Sequence, residues 1–85
     1  PGNARANYQL AKLLWGQGKG TGVVPLLNTA TKAEPRYREA YYLLGTVQQK
    51  LGNRVAAAAA FQKVKELGRE NLKKQEDLFS EAPPQ

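Results

Sequence analysis

The sequence predicts an all-α fold: two helix–turn–helix hairpins stacked side by side, with one more helix behind them. Three observations predict it. First, a pattern recurs at an offset of 34 residues: Ala6, Tyr8, Leu10 and Gly18 reappear as Ala40, Tyr42, Leu44 and Gly52. Where identity is lost, apolar partners keep the offset: Leu13 with Val47, Val23 with Ala57, Leu27 with Phe61, Ala30 with Val64. Second, apolar residues follow a helical period throughout and show no clear alternation. Third, Gly, Pro and Asn fall between the periodic segments, where turns are needed. Self-similarity at a fixed period means stacked copies of one supersecondary unit. Such a stack offers a long surface and usually no catalytic centre, which favours binding over chemistry.

The first helix is expected from Ala4 to Trp15, with Leu10, Ala11 and Leu14 on one side and Tyr8 and Trp15 beside them. Gly16 and Gly18 end it. The second is expected from Thr21 to Ala33, with the Thr21 hydroxyl as N-cap. Pro25 lies early enough to be tolerated, and Gly20 and Gly22 weaken the start. Glu34-Pro35 closes it, because a residue before proline is pushed out of the helical region. The third helix, Arg36 to Leu51, carries Tyr41, Leu44, Gly45 and Val47. A fourth comes after Gly52, capped by Asn53. It contains the alanine run 56–60 and then Phe61, Val64 and Leu67, and Gly68 is expected as its left-handed C-cap. The fifth, Glu70 to Ser80, is mostly charged, with Leu72, Leu78 and Phe79 as its thin apolar stripe. A helix of this kind can cover the exposed end of a stack. Residues 81–85 are expected to be disordered.

At 85 residues the chain is one domain at most. It has no Cys and no His, which excludes disulfides, thiolate nucleophiles, imidazole bases and the common zinc sites. No cofactor is expected. No apolar run can span a bilayer, and the start is unlike a signal peptide. The chain opens on Pro1 and reads as an excised or processed piece of a soluble protein, compartment open. The net charge of +6 favours acidic partners.

Residues 39–45 (Glu-Ala-Tyr-Tyr-Leu-Leu-Gly), then Leu51-Gly52-Asn53, Ala57, Phe61 and 64–67 (Val-Lys-Glu-Leu), resemble the tetratricopeptide repeat family. Tyr41 stands where the family has a bulky aromatic. Leu44-Gly45 matches its leucine and small residue at the helix crossing, Ala57 its small residue on the second helix, and Phe61 the large one beside it. Gln48 and Arg69 depart from the pattern, replacing an aromatic and a closing proline. The first copy is looser: Leu10, Ala11, Gly18, Leu27, Ala30 and Pro35 fit, while Asn7, Leu14 and Val23 depart. The resemblance implies two repeats, 4–37 and 38–69, in a right-handed superhelical stack, with 70–80 as a solvating cap. Small residues at a crossing allow close approach and large ones fill the gaps beside them.

The resemblance also implies a concave groove lined by the first helix of each copy. In that register the inner face comprises Arg5, Tyr8, Lys12 and Trp15, then Glu39, Tyr42, Thr46, Gln49 and Lys50. Spacings of three and four put each set on one stripe. Rings mixed with cations suit a ligand with apolar and acidic groups. Packing of Tyr8, Trp15 and Tyr42 against neighbouring helices is an equally open reading. Some family members clamp a terminal carboxylate with lysine and asparagine. Those places hold Tyr8, Lys12 and Leu43, so no clamp is expected.

Other constellations carry less. Gly18-Lys19-Gly20-Thr21 resembles the end of a phosphate loop, but Leu13 replaces the leading glycine and no strand precedes it. An inter-helix turn explains it better. Glu39, Glu76 and Asp77 lie on polar faces with nothing to tune them for acid–base work. The leading expectation is therefore a non-enzymatic scaffold that binds a peptide or partner segment. The first helix is apolar nearly all round (Ala6, Tyr8, Leu10, Ala11, Leu13, Leu14, Trp15), which calls for cover on more than one side. An upstream repeat or self-association, giving a homo-oligomer, would provide it. RNA binding is a further alternative from the charge, but the cations do not recur: Arg5 maps to Glu39 and Lys12 to Thr46.

Overall fold

Four α-helices and one 3-10 turn succeed each other: α1 (Ala4–Gly16), the turn (Gly20–Gly22), α2 (Val23–Ala33), α3 (Arg38–Lys50) and α4 (Arg54–Ser80). The structure is a computed structural model that describes residues 3–80, with side chains for 3–70. No strand occurs among the described residues. The fold is all-α and repeat-like, with α1 packed on α2, α3 on α4, and α2 joined to α3.

Local chemistry sets the helix ends. Asn3 starts α1: its Oδ1 accepts from the Ala6 amide at 3.0 Å, satisfying one free donor of the first turn. Gly18 ends the same helix with φ +76°. The Gly18 amide donates to the Trp15 carbonyl and the Lys19 amide to the Leu14 carbonyl. This is the six-to-one and five-to-two pairing that closes a helix through a left-handed residue. Thirty-four residues on, Gly52 has φ +85°, and Gly52 and Asn53 donate to Gln49 and Gln48 in the same pattern. The repeat in sequence is thus a repeat in hydrogen bonding.

Two helix starts differ from expectation. Thr21 is no N-cap: it sits inside the 3-10 turn, and α2 begins at Val23 with no side-chain cap. The flanking Gly20 and Gly22 let the chain tighten before the helix starts. Pro25 is the third residue of α2, where its missing N–H costs no helical bond. The third helix begins at Arg38 rather than Arg36, because Pro35 and Arg36 occupy a turn in which Tyr37 donates to the Glu34 carbonyl. Glu34, before the proline, is extended at φ −134°, ψ 89°.

The largest correction concerns Gly68. It is no C-cap, and the fourth and fifth helices are one: α4 runs unbroken for 27 residues, about 40 Å at 1.5 Å per residue. The 34-residue offset explains why. Pro35, which stops the first copy, corresponds to Arg69. Without a proline, and with helix-forming residues beyond it, one glycine does not end a helix. Asn53 does occupy the position before α4, its carbonyl accepting from Ala57. Its side-chain amide, however, donates to Gln48 Oε1 at 2.7 Å, tying the turn to α3. The expected cover by Leu72, Leu78 and Phe79 concerns side chains outside those described, and residues 81–85 lie outside the described residues altogether.

The core is narrow. Ala11, Val23, Leu27, Ala30, Ala40 and Val47 are fully buried in one cluster, and Ala57, Ala60 and Leu67 lie buried along α4. Tyr41, Leu44 and Val64 are half-buried. Gly45 and Phe61 form the tightest contact. A Cβ on Gly45 would lie 2.8 Å from the Phe61 ring, so the ring seats where only hydrogen fits. The first copy meets the same need with Ala11 and Leu27, one methyl more on one side and a ring fewer on the other. Leu10 was expected in this frame, yet it is 46% exposed, because no described helix lies on that side of α1.

These contacts set two expectations for stability. Gly45→Ala should cost about 1–3 kcal/mol in urea unfolding through overpacking. Combining it with Phe61→Leu copies the Ala11–Leu27 pair, and the double variant should be less destabilised than the sum by about 1 kcal/mol. Simple additivity would reject the Gly45–Phe61 seat. Nothing lies within 4 Å of a Cβ on Gly68. Gly68→Ala should therefore raise stability by about 0.5–1 kcal/mol. A loss instead would mean that the helix is not continuous there.

Candidate functional site

The faces of α1 and α3 that carry Tyr8 and Tyr42 meet in one open depression of about 580 Å³. Tyr8 and Lys12 enter from α1, one turn apart. Arg38, Glu39 and Tyr42 enter from α3 at spacings of one, three and four, with Leu43 at the base. Lys12 Nζ lies 6.0 Å from the Tyr8 ring centre, over its face. At that distance a cation and a π face attract weakly. Tyr42 is 60% exposed, yet its ring is anchored edge-on to Phe61 at 5.8 Å and 69°. The Gly45 seat beneath Phe61 thus positions a surface ring as well as the core.

A second depression of about 650 Å³ adjoins the first and shares Tyr8. Arg5, Glu34 and Tyr37 line it. Tyr37 stacks on Tyr8 with centroids 5.1 Å apart, tilted by 50°. Burial holds the Tyr37 hydroxyl above the ordinary tyrosine range, Tyr8 and Glu39 add to the rise, and Arg5 opposes it. Together the depressions make a strip from Arg5 through Tyr8 to Tyr42, predominantly apolar only at the Tyr42 end and bordered by Arg5, Glu34, Lys12, Arg38 and Glu39.

Of the residues expected on the groove, Arg5, Tyr8, Lys12, Glu39 and Tyr42 line this strip. The others go elsewhere. Trp15 turns into the first hairpin, half-buried against the core, with its ring 3.2 Å from where a Gly20 Cβ would lie. Thr46 is half-buried and its hydroxyl donates to the Tyr42 carbonyl at 3.0 Å. Gln49 lines a separate hollow with Arg54 and Phe61, and Lys50 is exposed at the end of α3. Arg38 and Tyr37 were not among the residues expected from the sequence. Arg38 was legible, standing four residues before Tyr42. Tyr37 was not, because its place before α3 depends on where the Pro35 turn ends.

Chemistry at the strip is limited to rings, cations and carboxylates. Among the described residues, no cluster of metal-ligating side chains occurs and no helix is long and apolar enough to cross a membrane. Comparison with known protein-family models and with curated proteins found no match.

The raised Tyr37 group has a defined pH consequence. Its proton is held more tightly in the folded state than in the unfolded chain. The stability it contributes is complete below about pH 10 and is lost as pH rises through the higher folded value. Tyr37→Phe should therefore flatten the decline of the thermal midpoint above about pH 10. An unchanged alkaline slope would remove Tyr37 from this role.

Proposed function

We propose that the chain is a pair of tetratricopeptide-like repeats acting as a protein-interaction module, which grips a segment of a partner polypeptide along the Tyr8–Tyr42 strip. One observation carries this reading. Two helices from successive copies bring Tyr8, Lys12, Arg38 and Tyr42 to one apolar-floored depression. Exposed rings offer large contact area at little entropic cost, and aromatic and Arg side chains are the types that dominate interface energetics. The floor suits an apolar side chain. Lys12 and Arg38 suit a neighbouring carboxylate, and Glu39 disfavours a second one beside it. The superhelical stacking implied by the family resemblance belongs to the same proposal.

A peptide-array screen tests it. The Tyr8→Ala, Lys12→Ala, Tyr42→Ala triple variant should lose binding to the preferred peptides by about tenfold or more. Its helical circular dichroism should stay unchanged, because none of the three side chains is fully buried. Identical partner profiles for wild type and variant would reject the strip as the binding surface. Steep log-linear salt dependence on single-stranded RNA would favour the nucleic-acid alternative instead.

A further inference from the structure

The two copies differ in what covers one face. On α3, Ala40, Leu44 and Val47 form a stripe at spacings of four and three. Ala40 and Val47 are fully buried in the cluster that also holds Val23, Leu27 and Ala30 of α2. The corresponding stripe on α1 is Ala6, Leu10 and Leu13. There Leu10 is 46% and Leu13 58% exposed, and no described helix lies over them. The second copy thus shows the kind of object this face accepts: a helix with an apolar stripe.

Charge selects the occupant. Residues 1–33 contain Arg5, Lys12, Lys19 and Lys32 and no carboxylate. Lys12 and Leu13 share a shallow hollow of about 460 Å³ with Gln9, so a cation borders the apolar stripe. A second copy would bring another net charge of +6 towards this edge, which opposes self-association. We infer that the outer face of α1 docks an amphipathic helix of a partner protein that carries carboxylates along one edge of its apolar stripe. This surface meets the proposed groove at Lys12 and extends away from Tyr42.

The test uses two labelled synthetic helical peptides. Both carry leucines at helical spacing, one with a glutamate edge and one with lysines in its place. Fluorescence anisotropy should show the glutamate peptide binding the wild-type chain and the lysine peptide failing to bind. Leu10→Gln with Leu13→Gln should weaken binding by about tenfold or more, while Tyr42→Ala leaves it unchanged. Lys12→Glu, at an exposed position, should reverse the preference between the peptides. That variant keeps the test decisive if the leucine double variant misfolds. No binding by the glutamate peptide, or equal binding of both peptides, overturns the inference. So does a loss with Tyr42→Ala but none with the leucine variant. Sedimentation showing a dimer that Leu10→Gln and Leu13→Gln abolish would assign the face to a second copy and overturn it as well.

Discussion

Everything in this fold depends on how closely two helix backbones approach within each hairpin. The approach is set by matching a small residue on the first helix to a large one on the second. Gly45 leaves room for the Phe61 ring and nothing more. Ala11 and Leu27, fully buried at the same offset, divide the space differently. In both copies the combined volume is what is kept, as close-packed interiors require. The consequence reaches the surface, because Phe61 supports the exposed Tyr42 ring. An exposed ring is therefore oriented by a core contact one turn further along the same face of the helix.

Electrostatics adds little to the framework. Among the described residues no charged or polar side chain is buried. The Arg36–Glu70 ion pair, at 2.9 Å, is about half exposed on both sides, and such pairs contribute at most about 1 kcal/mol. Stability rests on apolar burial and on turn geometry. Charge is left at the surface, and its distribution is uneven along the chain. The first carboxylate is Glu34, so the first hairpin is wholly cationic.

Much of this was legible in the residues, for identifiable reasons. Gly18 and Gly52 mark their turns because left-handed φ is costly for any residue with a Cβ. Glu34-Pro35 marks a stop because the ring restricts the residue before it. Gly68 misleads because a lone glycine is a weak signal, overridden when helix-forming residues continue beyond it. Thr21 misleads because a capping side chain is useful only if the helix starts directly after it. At the site, helical spacing put Tyr8 and Lys12 on one stripe of α1, which is a local property, and the 34-residue offset matched Tyr42 of α3 to Tyr8. Trp15 could not be assigned that way. It lies at the edge of the stripe, and the position of the Gly20 backbone decides which side it joins.

The unbroken α4 carries a meaning for the periodicity itself. A third unit in the same register would open 34 residues after Arg38, at Leu72. That residue lies well inside α4, where the chain is still travelling in the direction of the second unit and cannot double back. The residue at this one position therefore sets the chain's course: Pro35 lets it turn back between the copies, whereas Arg69 lets α4 run on through the place where a third copy would open.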